Sequence, residues 1–290
     1  MTARCVARRK RSPCCECCSA RLREAHAAGL TTYRVCSCEL ANEARHALDG
    51  EFGAEVIKIE MPGKGDPWRY FGTMTEAGST LNWLNEARNK KSVTLDLRTK
   101  DGADLLRKLI AKSDVLIENF RPGTLEKWGL SFDELKKAKP DLIMVRVSAY
   151  GQTGPYKNRP GYARVAHGFS GLTYLAGEPD GPPVIPGSTS LADYITGAFA
   201  AIGALMSIIA RDRFAVGQVV DVSLYEGVFR MLDEMATLYA RDGTVRERMG
   251  ADTVNAVPHS HYETKDGRWI ALQRQDVRAP CAGDGSPRPR

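Results

Sequence analysis

The chain has 290 residues, of which 43% are hydrophobic, with 41 Lys and Arg against 35 Asp and Glu. That is enough apolar sequence to bury one large core or two smaller ones. The basic surplus lies at the ends: residues 1–50 hold nine basic against five acidic side chains, residues 273–290 four against two, and residues 51–272 hold 28 of each. A nucleic-acid binder carries its surplus on a folded face, so the charge is a property of the ends and excludes nucleic acid as a partner.

Residues 1–49 are rich in Cys and Arg and are expected to form an unpacked extension without an apolar strand. Seven of the eight cysteines lie between Cys5 and Cys38, and the eighth is Cys281. A disulfide framework would spread cysteines through the domain it staples, so the main domain reads as cytoplasmic, or mitochondrial in a eukaryote. Cys14, Cys17, Cys36 and Cys38 could supply four thiolates to a zinc-binding module. The second pair has the wrong spacing and few apolar neighbours, so no metal is expected. The Arg-rich start lacks the apolar segment of a signal peptide.

From about residue 52 strands and helices alternate. Val56–Ile59 reads as a strand, followed by a Pro/Gly turn to Pro67, and Val93–Leu97 as a second strand. Asp101 is expected to cap a helix carrying Leu105, Leu106, Leu109 and Ile110 at helical spacing. Val115–Ile117 is a short apolar strand, Arg121–Gly129 a turn and short helix, and Ser131 to Glu134 a capping box. Leu142–Val147 is a further strand. One helix is expected from Tyr162 to Leu175, a buried Gly/Ala-rich helix from Leu191 to Arg211, a strand at Val219–Val222 and a helix at Tyr225–Ala240. Residues 262–264 and 268–272 flank Lys265-Asp266-Gly267 as a hairpin and open a second domain. The alternation predicts an α/β fold, a mainly parallel sheet with helices on both faces. The apolar 191–209 stretch carries Asp193 and many small residues, which suits a core helix better than a membrane span.

No dinucleotide fingerprint and no Walker loop occurs, so a nicotinamide enzyme is unsupported. Arg121-Pro122-Gly123-Thr124, where a strand meets a helix, and Arg98, at a strand end, could each face an anion. Each alone is a weak signal, since a turn with a basic residue is more often a solvated connection. Asp193 at a helix start has a ready structural use as a cap or first-turn charge.

Six segments in order, Glu55-Val56-Ile57-Lys58-Ile59-Glu60, Asn89-Lys90-Lys91-Ser92, Glu118-Asn119-Phe120-Arg121-Pro122-Gly123, Tyr150-Gly151-Gln152-Thr153-Gly154-Pro155, Arg159-Pro160-Gly161-Tyr162 and Gly217-Gln218-Val219-Val220-Asp221-Val222, resemble the class III coenzyme A-transferases (CaiB/BaiF). This is the family of formyl-CoA transferase, carnitine CoA-transferase and alpha-methylacyl-CoA racemase. The resemblance spans roughly residues 50–272. It implies a large Rossmann-like domain over 50–245, the start of a small domain over 246–272, an atypical tail over 273–290, and an interlocked homodimer. It implies transfer of CoA between carboxylic acids, with acyl-CoA and a small carboxylic acid as substrates, no cofactor and no membrane.

Ser190-Leu191-Ala192-Asp193 fills the place of the family's nucleophile, so Asp193 is the implied catalytic residue. Leu95 and Arg98 match positions near the CoA nucleotide. Asn119, Phe120 and Lys127 match positions near the pantetheine and phosphates, and Tyr162 and Leu224 line the thioester end. Racemases of the family carry a histidine where this chain has Tyr162, which counts against racemase chemistry. A helper acid found in some members is replaced by Ala163, and His167 is left unassigned. Family members begin with an apolar, CoA-contacting strand and continue well beyond the hairpin. Neither end of this chain matches them. The expectation is therefore a CoA-transferase, with a truncated and inactive member as the alternative and an acyl-CoA racemase behind both.

Overall fold

The computed structural model describes residues 33–38, 53–254 and 256–273. The expectations for residues 1–32, for all cysteines except Cys36 and Cys38, and for the tail from 274 onward lie outside the described residues.

Six parallel strands form one sheet in the order β3-β2-β1-β4-β5-β6. They are β1 Arg34–Cys38, β2 Glu55–Glu60, β3 Lys90–Thr94, β4 Val115–Glu118, β5 Ile143–Ser148 and β6 Val219–Ser223. β1 corrects the expectation that residues 1–49 contribute no strand: it occupies the centre of the sheet, between β2 and β4. The physical reason is visible in alternate residues. Val35 joins the core on one face and Cys36 the core on the other, both buried. Reduced cysteine packs as a small hydrophobe, and Cys36 is a free thiol. Arg34, whose charge suggested an unpacked segment, anchors the strand start. Its N–H donates to Asp114 Oδ2 at 2.8 Å, its Nε to Glu55 Oε2 at 2.7 Å and its Nη1 to the Lys112 carbonyl at 3.0 Å.

On the Cys36 face lie the helices α2 to α4, which follow α1 in the chain. The helix α1 (Leu81–Glu86) is capped by Thr80, whose hydroxyl accepts the Trp83 N–H. The helix α2 (Lys100–Ile110) is capped by Thr99 rather than by the expected Asp101, which stands in the first turn. Its Ala103, Leu106 and Ile110 enter the core, while Leu105 faces solvent. The short helices α3 (Thr124–Lys127) and α4 (Phe132–Lys136) follow, and Ser131 caps α4 as its spacing predicts, accepting the Glu134 N–H.

The helix α7 (Leu191–Phe214) covers the other face, packing Ala200, Ala204 and Ile208 on Val115, Ile117, Ile143, Val145 and Val147. By length and composition it could also cross a membrane, but this stripe is buried against the sheet. A Cβ at Gly203 would stand 2.7 Å from Val220 Cγ1, so only glycine lets the helix lie this close.

The helix expected from Tyr162 to Leu175 is two, α5 (Ala163–Phe169) and α6 (Leu172–Leu175), broken at Gly171 with φ +93°. The helix expected at Tyr225–Ala240 is likewise two, α8 (Leu224–Arg230) and α9 (Met235–Asp242), with Asp233 at φ +54° between them. The residues described through Ala166, with Ser190–Val228, form one compact unit. His167–Thr189 and the residues described from Phe229 to Gln273 form a second. The second holds the antiparallel hairpin of β7 (His259–Glu263) and β8 (Trp269–Gln273).

β2 ends in buried charges that tie the segment after it to the sheet. Lys58 Nζ pairs with Asp66 Oδ2 at 2.9 Å, both side chains almost wholly enclosed. Glu60 accepts from Arg69 Nε at 2.7 Å, Arg69 Nη2 at 2.8 Å, Ser92 Oγ at 2.6 Å and the Asp66 N–H at 3.0 Å. Arg69 also lies over the Trp83 ring at 3.8 Å. Burial alone would raise the Glu60 pKa, but these donors outweigh it and bring it from 4.5 to about 2.

Two outcomes follow from these contacts. Cys36→Ser places an unpaired hydroxyl in the core and should cost about 1–3 kcal/mol in urea denaturation; no change would mean that β1 is dispensable. Because the folded pKa of Glu60 is depressed, its contribution is complete above pH 4.5 and is lost as pH falls toward 2. It is at most about 3 kcal/mol by linkage. Glu60→Gln should therefore lower stability at pH 7 and flatten the acid limb of a plot of stability against pH.

Candidate active site

In a parallel sheet the connections that leave the carboxyl ends of the strands form the natural ligand crevice. Here the chain leaves β4 as Asn119-Phe120-Arg121-Pro122, leaves β5 as Ala149-Tyr150, and passes from β6 straight into α8. A cavity of about 340 Å³ opens among these exits. Asn119, Phe120, Tyr162 and Leu224, four of the residues expected to contact CoA, line it together. Phe120 and Leu224 are buried and Tyr162 is largely exposed.

The other expected contacts do not line this cavity. Leu95 packs, partly buried, against the core. Arg98 is exposed and engaged with Asp96, Nε to Oδ1 at 2.8 Å and Nη2 to Oδ2 at 2.7 Å. Those contacts hold the Asp96 carboxyl down at about 2. Lys127 is exposed at the end of α3.

The cavity also gathers residues that the sequence did not single out as a group. Arg121, Lys157 and Arg159 give its wall three cations. Arg121 carried a sequence signal as a candidate anion contact; Lys157 sat in a Gly/Pro-rich loop with none. Ser148 lines the cavity too, and its buried hydroxyl has no hydrogen-bond partner among the described residues. The loop that carries Lys157 and Arg159 is held from both sides. Arg159 stacks over the Tyr156 ring at 4.2 Å, and Tyr150 packs on Tyr156 and Tyr225. The Gln152 N–H donates to Asp221 Oδ2 at 2.8 Å. Gly151 makes that turn with φ +85°, a conformation that side chains other than glycine rarely adopt. Burial raises the Asp221 pKa above its usual value, and this backbone donor only partly opposes it.

Asp193 stands in the first turn of α7, 3% exposed, and is not among the cavity's lining residues. Ser190, at the N-cap, makes no side-chain cap bond, so Asp193 is the acid of the helix's positive end. The neighbouring Tyr194 hydroxyl donates to Glu86 Oε1 at 3.1 Å, which ties this first turn to α1. Burial and then the Glu86 carboxylate raise the Tyr194 pKa.

The arrangement, a carboxylate enclosed at a helix start on a sheet whose carboxyl edge carries a cationic cavity, suits chemistry on an anionic substrate. The alpha and beta subunits of succinyl-CoA–L-malate CoA-transferase from Chloroflexus aurantiacus are each 56% identical to this chain. The matches cover 80% and 78% of it, and 55% and 56% of those proteins. The chain thus spans about half the length of the curated relatives it matches. A crystal structure of a CAIB/BAIF family protein from Brucella suis superposes with a TM-score of 0.73 at 34% identity, covering 82% of this chain and 64% of that one. A family profile matches residues 46–281, most of the chain and nearly all of what the structure describes, and on that match this chain belongs to CoA-transferase family III.

Proposed function

We propose that the protein transfers coenzyme A from an acyl-CoA donor to a small carboxylic acid, with Asp193 as nucleophile. The observation that carries this reading is the enclosed Asp193 carboxylate at the start of α7, in a chain that belongs to a family of CoA-transferases. The Asp193 carboxylate attacks the thioester carbonyl, the C–S bond breaks, and CoA leaves as thiolate, giving a mixed anhydride. The thiolate attacks the aspartyl carbonyl of that anhydride, which frees the donor acid and leaves CoA on Asp193 as a thioester. The acceptor carboxylate attacks the carbonyl of this thioester, the C–S bond breaks, and CoA leaves again as thiolate, giving a second anhydride. The thiolate then takes the acceptor acyl group and restores the Asp193 carboxylate. Atoms and charge balance at each step without a further reagent.

Enclosure matters because water would hydrolyse either anhydride. The positive end of α7 favours the carboxylate that the first step needs. The cavity at the ends of β4 to β6 would take one segment of CoA, with Arg121, Lys157 and Arg159 toward its anionic groups. The names of the relatives support succinyl-CoA and L-malate as the first pair to assay. Assembly as a dimer belongs to the same reading. It is supported by the outward-facing Ile202, Leu205, Met206 and Ile209 of α7, which leave apolar surface exposed. A cytoplasmic setting is supported by the free thiol of Cys36.

Asp193→Ala and Asp193→Asn should each abolish formation of malyl-CoA from succinyl-CoA and L-malate, followed by chromatography. Hydroxylamine added during turnover should convert Asp193 to a hydroxamate, identified by peptide mass. Near-normal turnover by Asp193→Ala would sink the assignment.

A further inference from the structure

Beneath the cavity lies a buried charge cluster to which the proposed chemistry gives no part. Arg146, on β5, is 8% exposed and Glu118, the last residue of β4, is wholly buried. Arg146 Nε donates to Glu118 Oε1 at 2.6 Å. Its Nη1 donates to Glu126 Oε1 at 2.7 Å and its Nη2 to Glu126 Oε2 at 3.4 Å. The second oxygen of Glu118 is also occupied: Oε2 accepts the Phe120 N–H at 2.8 Å. One guanidinium thus joins the strand end before the segment 119–123 to the helix α3 after it, and Glu118 holds that segment's own backbone. Asn119, Phe120, Arg121 and Pro122, which the segment carries, all line the cavity. None of Arg146, Glu118 and Glu126 does.

The segment needs such a clamp. Gly123, the N-cap of α3, is left-handed and supplies no side-chain cap. The Phe120 ring meets Trp128 edge-on at 5.1 Å, so its direction depends on where α3 stands. A planar, forked cation can hold two carboxylates in fixed relative positions, which an ammonium cannot. The cluster is not an economical way to stabilise a core, because burying the Arg146 and Glu118 charges carries a heavy desolvation cost.

We propose that Arg146 is a positioning residue for ligand binding: by bridging Glu118 and Glu126 it fixes the wall segment 119–123 in the shape that receives CoA. The ligand's identity rests on the function proposed above; the clamp itself does not. The test is hydrogen exchange of the chain, comparing peptides over 119–127 with peptides over 55–60, in Arg146→Met, Arg146→Lys and Glu126→Gln. Loss of a charge-assisted bond should speed exchange in 119–127 by about tenfold or more while leaving 55–60 unchanged. Arg146→Lys should fall between the parent and Arg146→Met. Glu126 is partly exposed, so Glu126→Gln keeps the test open if Arg146→Met does not fold. Unchanged exchange in 119–127, or an equal rise in both regions, would overturn the proposal, since the second result is what a merely structural ion pair gives. Calorimetric titration with CoA forms a separate arm, in which Arg146→Met should raise Kd about tenfold with it. Asn119→Ala tests the site alone. If neither the parent binds CoA nor Asn119→Ala alters binding, the CoA reading of the cavity falls, while the exchange result still decides the role of Arg146.

Discussion

The close approach of α7 to the sheet is the contact on which the candidate site depends. Ala200 and Ala204 face the strands, Gly203 meets Val220, and Gly197 and Thr196 are buried beside Asp193. Small side chains let the helix axis lie near the strands, and the packing then fixes where the helix begins. A carboxylate in its first turn is enclosed as a consequence. Had α7 presented a bulky stripe, its start would stand off from the sheet and water would reach Asp193. The thioester and anhydride chemistry proposed for this residue needs that enclosure.

Two glutamates at the ends of the strands that flank β1 show how surroundings decide the behaviour of one residue type. Glu60 accepts four hydrogen bonds and is brought down to about 2. Burial pushes Glu118 up to about 7, against the opposing pull of Arg146 and of the Phe120 N–H. Both sit where a strand releases its chain at the carboxyl edge of the sheet. Glu60 secures the segment from Asp66 to Arg69 that follows β2. Glu118 secures the cavity wall that follows β4. The edge that would receive a ligand is therefore braced by buried charge at two places, and its irregular segments are held by side chains where no ladder can hold them.

Much of this architecture is legible in the sequence. Apolar runs mark β2, β4, β5 and β6, the small-residue run marks α7, and Ser131 marks the start of α4. Four of the residues implied by family resemblance, Asn119, Phe120, Tyr162 and Leu224, meet in one cavity. The failures share a cause. Arg34–Cys38 reads as part of a charged, Cys-rich run, because a five-residue central strand carries no periodicity of its own and its thiol counts as chemistry instead of packing. Asp101 and Thr99 are both acceptable caps, and only the backbone path after β3 selects Thr99. Gly171 and Asp233 divide helices whose apolar spacing is continuous.

What the sequence determined by itself is the set of elements with strong local signals, the parallel α/β class, and the candidacy of Asp193 at a helix start. Those follow from side-chain periodicity and capping, which act over a few residues. What only the tertiary structure decided is which distant residues share a space. Lys58 is enclosed by Asp66, Arg146 joins Glu118 to Glu126, Lys157 and Arg159 reach the same cavity as Asn119, and β1 completes the sheet. The physical reason is that burial of a charge, or of a thiol, is settled by partners brought from other strands, and nothing in the local chain encodes that they will be there.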